Sequence, residues 1–300
     1  MSVALAVVSA LCFASTHVTA KRGLVDTSIF AGLLVQLATA FSVVLVALVV
    51  DPPGTVALGA VAIFAVAGLI APGAARATAL TGVDRLGPAV AVPIQQGARP
   101  ILTVAGAIVL LNEPVGPVQI IGVLAIAFGG WRLSRERAPA EAGVPAAGPS
   151  VTTVRLRRTF KPGIVFPLIT AVCYATSDIV VKKALGSFPY PTLGTLVGIG
   201  AALLVWSTAC ATMPRLRRSL RFGPSLGWFV ASGAFMGLAI LLMFHALQEG
   251  EVSVVGPIIA AQTLAVFLLS AILLRRVEHV TGEIVMAGIA VVIGTILVTS

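Results

Sequence analysis

In the run AVPIQQGARPILTV, residues 91–104, an arginine sits among side chains able to serve it. Gln95 and Gln96 lie four and three residues before Arg99, and Thr103 lies four after it, so on a helix they share one face. A guanidinium offers a rigid fork of donors that matches a carboxylate or a phosphate. Two uses fit that chemistry. Arg99 can hold an anionic or zwitterionic solute while the glutamines complete its hydrogen bonds, or it can pair with an internal acid or with carbonyls freed by a broken helix. Pro93 and Pro100 bracket the group, and each removes a helix donor and frees a carbonyl, either to line a cavity or simply to bend the helix. The later run VVGPIIAAQTLAV repeats the pattern with Pro257 and Gln262 but no charge.

Two titratable groups stand out elsewhere. Asp178 is an acid well inside an apolar run, and His17 occupies the corresponding place in an earlier one. Both are candidates for coupling solute movement to a proton or another ion. Asp178 also lies four residues before Lys182, a spacing that allows a plain ion pair near a helix end; a cross-chain pair between Asp178 and Arg99 is a further option. Gln36, Tyr174 and His245 are isolated polar points in apolar runs, where interhelical hydrogen bonds are the commoner use; Tyr174 is also a candidate solute contact. Glu113, Glu249, Glu251 and Glu278 fall in or beside loops and read as solvated.

The elements that position these groups follow from composition. The chain of 300 residues is 58% hydrophobic and 10% charged, with mean hydropathy +1.06. Soluble domains carry about a quarter charged residues, so lipid must be the solvent for most of this surface. The net charge of +9 falls between the apolar runs rather than along an aromatic-studded face, which excludes nucleic-acid binding. Cys12, Cys173 and Cys210 lie inside apolar runs without CxxC spacing, so no metal or cofactor site is expected. HExxH, GxSxG, an intramembrane acid pair and GxxxxGK[ST] are all missing from the sequence, so neither an intramembrane enzyme nor direct use of ATP is expected. The N-terminus is apolar from its first residues and lacks the basic region of a secretory signal, so it reads as a retained membrane helix.

Apolar runs predict an all-α membrane protein with ten transmembrane helices, near 2–20, 28–50, 55–75, 86–111, 117–133, 163–185, 190–213, 225–247, 252–274 and 280–299. A polar, then basic stretch divides the chain into a first repeat (1–133), a linker (134–162) and a second repeat (163–300). VVSALCFASTHVTAKRGL (7–24) aligns without gaps onto LITAVCYATSDIVVKKAL (168–185), with Ala10/Ala171, Cys12/Cys173, Lys21/Lys182 and Leu24/Leu185 identical. Glu113 and Glu278 each precede the last helix of their half. Five spans per half return the chain to the opposite side, so the repeats are inverted, an arrangement that alternates access to a central site. Apart from Arg99, Lys182 and Lys183, every Lys and Arg, Arg76 included, is assigned to one side. That places the linker in the cytoplasm and both termini outside the cell membrane.

Two five-helix halves, each opening with a small-residue helix that ends in a basic pair, resemble the EamA-type branch of the drug/metabolite transporter superfamily. LLNEPVGPVQIIGVLAIAFGG, with Glu113, Gly122, Gly129 and Gly130, is similar to that family's apolar run, acid and Gly-rich helix; LLRRVEHVTGEIVMAGIAVVIG is a looser second copy. The resemblance covers both halves and implies a ten-helix transporter with a central cavity lined mainly by helices 1, 3, 4, 6, 8 and 9. It implies cargoes among amino acids, metabolites and drug-like solutes. The family commonly places its N-terminus in the cytoplasm, the reverse of the charge count here. The expected function is a secondary active carrier for a small polar solute, an amino acid or related metabolite. The alternatives are an exporter of apolar cations and drugs, which would prefer an acidic, aromatic-lined cavity, and a non-transporting membrane scaffold or sensor.

Overall fold

The computed structural model describes residues 1–50, 52, 58–142, 163–273, 289–290, 293–294 and 296–298. All regular structure there is helical: α1 (Ser2–Gly23), α2 (Ile29–Val50), α3 (Leu58–Gly68), α4 (Ala75–Leu86), α5 (Pro88–Gly106), α6 (Pro117–Ala142), α7 (Val165–Ser187), α8 (Pro191–Thr212), α9 (Pro214–Ser219), α10 (Leu226–Glu249), α11 (Val252–Ala260) and α12 (Gln262–Leu273). Among the described residues, eight spans are long and apolar enough to cross a membrane. Lipid cannot hydrogen-bond a backbone, so each span closes its own ladder, and hydroxyls inside it bond back one turn. In α1, Ser15, Thr16 and Thr19 donate to the carbonyls of Leu11, Cys12 and Ser15 at 3.0, 2.9 and 2.6 Å.

The bundle is inside out by soluble standards. Val46, Leu204 and Ile272 are each about two-thirds exposed on its outer faces, as side chains facing acyl tails are. Small residues fill the interior and let helices approach closely. A Cβ on Gly68 would strike the backbone of Gly198, so α3 and α8 touch main chain to main chain. A Cβ on Gly233 would strike Gln36, which fixes α10 against α2.

The packing is reciprocal. α1 and α2 pack on α10, while α7 and α8 pack on the α3–α4 span. α1 also meets α11 and α12, while α7 meets α5. Lys21, in the last turn of α1, donates to the Val83 and Asp84 carbonyls, each at 3.2 Å, at the end of α4. Lys182 in α7 donates to Leu247 at 2.8 Å and Gly250 at 2.7 Å, at the end of α10. Cations at helix C-termini offset the dipole and satisfy carbonyls that have no helical partner.

Several expectations are corrected. The third span does not stop at residue 75. A kinked segment, Leu69–Ala74, joins α3 to α4, and the span runs to Leu86. Pro72 disfavours helical backbone in its predecessor, and Ala71 is extended (φ −147°, ψ 118°). Arg76, assigned above to a basic loop, is therefore inside the bundle and buried. α6 continues to Ala142, past the expected boundary at 133. The ninth span breaks at Ala261, where α11 gives way to α12, so Gln262 opens a new helix. Glu113 is not simply solvated: its carboxylate accepts from the Val252 and Ser253 amides at 3.0 and 2.9 Å, capping α11. The rest of the linker (143–162), most of the tenth expected helix, and Arg275, Arg276 and Glu278 lie outside the described residues.

Candidate functional site

Arg99 lies near the middle of the Val90–Leu111 span and Asp178 near the middle of Val165–Ser187, both buried. They form a bidentate pair. Arg99 Nε donates to Asp178 Oδ2 at 3.0 Å, and Nη2 donates to Oδ1 at 2.9 Å and to Oδ2 at 2.8 Å. The Met243 sulfur of α10 lies 3.7 Å from Nη2. The guanidinium stacks over the Tyr174 ring at 5.1 Å, one turn before Asp178 on α7. A charge at bilayer depth is costly without a partner, and forked hydrogen bonding to a carboxylate supplies one.

A second arginine lies close by. Arg76 Nε donates to Gln36 Oε1 at 3.0 Å. The Gln36 amide in turn donates to the Ser232 hydroxyl, which donates to the Thr16 carbonyl at 2.7 Å. This relay crosses α4, α2, α10 and α1, and it holds the guanidinium by its Nε edge. The Tyr174 hydroxyl lies beside Arg76 but outside strict hydrogen-bond geometry, so one tyrosine neighbours both arginines, with its ring face toward Arg99. His17 is within electrostatic reach of both.

Around this core, several buried polar atoms lack hydrogen-bond partners: His17 Nδ1, Arg76 Nη2, Gln95 Nε2, both amide atoms of Gln96, Thr103 Oγ1 and Gln262 Oε1. Each such group costs about 1–3 kcal/mol unless something meets it. They lie on α1, α4, α5 and α12, in the interior of the bundle. Prolines sit within it: Pro93 and Pro100 inside α5 and Pro257 inside α11. Among the described residues no cluster of His, Cys, Asp or Glu could hold a metal ion.

The structure thus separates the sequence candidates. Arg99 and Asp178 meet each other, and Lys182 is engaged at the end of α10 rather than with Asp178. Gln95 and Gln96 do not complete the arginine's hydrogen bonds: among the described residues the guanidinium donates only to Asp178 and Met243, and Gln96 Oε1, which could accept from it, has no partner. Thr103 lies beside the Asp178 carboxylate but outside strict hydrogen-bond geometry. Gln36 bonds across helices, and so does His245, whose Nε2 is 3.2 Å from Thr192 Oγ1. His245 borders a cavity of about 280 Å³ at the bundle end, with Tyr190 and Gln248. Sequence reasoning missed Arg76 and Ser232. The signal for Arg76 was the small-residue run APGAARATAL, which continues past the Pro-Gly pair with no polar break.

Residues 1–134 and 161–300 match the family model described as EamA-like transporter family. No curated protein matches the chain. One solved structure, titled only "Crystal structure of protein", superposes with TM-score 0.73 at 16% identity, over 99% of this chain and 98% of that one. That degree of identity speaks to the fold alone.

Proposed function

The chain belongs to the EamA-like transporter family, and from that premise we propose that it carries a small polar solute, an amino acid or related metabolite, by alternating access. The observation that carries this reading is the set of buried, unpartnered polar atoms around the Arg99–Asp178 pair. In a lipid-facing bundle such atoms need a polar occupant. Gln95, Gln96, Gln262 and Tyr174 are the proposed solute contacts, with Arg99 fixing the floor of the site through Asp178. Asp178 and His17 are the proposed coupling residues, for a proton or another ion. Pro93, Pro100 and Pro257 are the proposed points of bending. Charge argues against the exporter of apolar cations, because the cluster holds two arginines and one acid.

The proposed architecture is ten spans in two inverted five-helix repeats joined by a cytoplasmic linker, with both termini outside the cell membrane. Reciprocal packing of each half's first helix on the other half's third span supports it. So do Lys21 and Lys182, aligned in sequence and each tied to the end of its own half's third span. The test is counterflow in proteoliposomes, using labelled amino acids and organic acids. Accumulation should exceed that of empty liposomes for at least one class and should fall to background in Arg99→Ala. Equal accumulation with and without the protein across the whole set would refute the proposal.

A further inference from the structure

The Arg99–Asp178 pair is neutral and its carboxylate oxygens are both taken by the guanidinium. Arg76 is different. It is 2% exposed, its Nε is held by an uncharged glutamine, its Nη2 has no partner, and among the described residues no acid pairs with it. A buried guanidinium without a counter-charge is strongly unfavourable. The geometry points to Arg76, rather than Arg99, as the anchor for a carboxylate on the solute. This rests on the solute-carrying reading above and narrows its substrate class to small anions and zwitterions.

The surrounding chain is built to present that fork. The Gln36–Ser232–Thr16 relay fixes the Nε edge from three other helices. Nη2 is left unpaired, with Tyr174 and His17 close to the arginine, and His17 Nδ1 is also free. A carboxylate there gains a charge-assisted hydrogen bond from Nη2 without displacing Asp178 from Arg99. Arg76 also stands at the start of α4, just past the kink at Ala71, so the anchor rides on the C-terminal piece of an interrupted span.

The test reads binding apart from transport. Detergent-solubilised protein is heated in the presence of glycine, acetate and pyruvate, and separately with glycinamide, acetamide and ethylamine as partners lacking the carboxylate. The carboxylates should raise the unfolding temperature and the others should not. Arg76→Gln should weaken the carboxylate response about 10- to 100-fold in midpoint concentration, the value of one charge-assisted hydrogen bond, and Arg76→Lys should retain part of it. Gln36→Glu keeps the arginine but supplies an internal counter-charge, so it should abolish the carboxylate response. An unchanged carboxylate response in Arg76→Gln or Gln36→Glu overturns the assignment, as does equal stabilisation by the amides. Carboxylate binding that depends on Arg76 without counterflow supports the anchor while refuting the carrier.

Discussion

Two arginines sit within one buried polar cluster and are treated in opposite ways. Arg99 faces a carboxylate across the bundle and is held by three hydrogen bonds to it. Arg76 faces an amide on Nε and nothing on Nη2. The first is an ion pair closed upon itself and the second is an open donor. Depth is much the same for both, since each is 2% exposed. What differs is whether the chain supplies the counter-charge. Where it does, the group stabilises packing; where it does not, the vacancy can be filled from outside the chain.

The largest expected effect attacks the closed pair. Arg99→Gln or Asp178→Asn strands one buried charge and should lower unfolding stability by about 3–5 kcal/mol. The double substitution Arg99→Met with Asp178→Leu should recover most of it, read as unfolding temperature in detergent. Arg76→Gln should instead leave unliganded stability unchanged or higher, because it removes a charge that no acid offsets. A loss of stability as large as that of Arg99→Gln would erase the distinction.

Next comes the relay that holds Arg76. Ser232→Ala strips the Gln36 amide of its acceptor and should cost about 1–3 kcal/mol. It should also weaken any response that depends on Arg76 while sparing the Arg99 pair. A smaller effect is expected at the rim. Glu113→Ala removes the cap of α11 and should cost about 1 kcal/mol, visible as faster amide exchange at Val252 and Ser253. The smallest is Lys21→Met or Lys182→Met, about 0.3–1 kcal/mol each, and similar values for the two would match their equivalent placement.

Arg99 was legible in the sequence because hydropathy isolates an arginine in the middle of a long apolar run. Its partner was legible as a possibility, since Asp178 is the acid inside a neighbouring run, but the choice between Arg99 and Lys182 needed the packing. Arg76 was not legible for a physical reason. Pro72-Gly73 carries the usual chemistry of a helix end, and a window over 55–75 closes there. The chain kinks at Ala71 and then resumes as helix, so the span continues, which moves one charge from a loop to the interior. Glu113 misled in the opposite sense: a loop position suggested water, but the start of α11 comes within reach of its carboxylate.

The fold was legible as apolar spans of the right length, and α1, α2, α7, α8 and α10 fall close to the expected bounds. Interruptions were harder. Gly256-Pro257 marks the ninth span, yet the break falls at Ala261, four residues past the proline. A proline says that a helix is weakened nearby; side-chain packing decides which peptide gives way.

The cross-bundle ion pair also limits how the two halves can recognise each other. Arg99 comes from the first half and Asp178 from the second, while the position aligned with Asp178 is His17 and the α11–α12 counterpart of Arg99 is uncharged. Two first halves brought together would set each Arg99 against a His17, and two second halves would leave each Asp178 facing an uncharged position. Only the mixed pairing is electrically closed. The pair is therefore a matching rule as well as a contact: it disfavours self-association of either half and selects its complement.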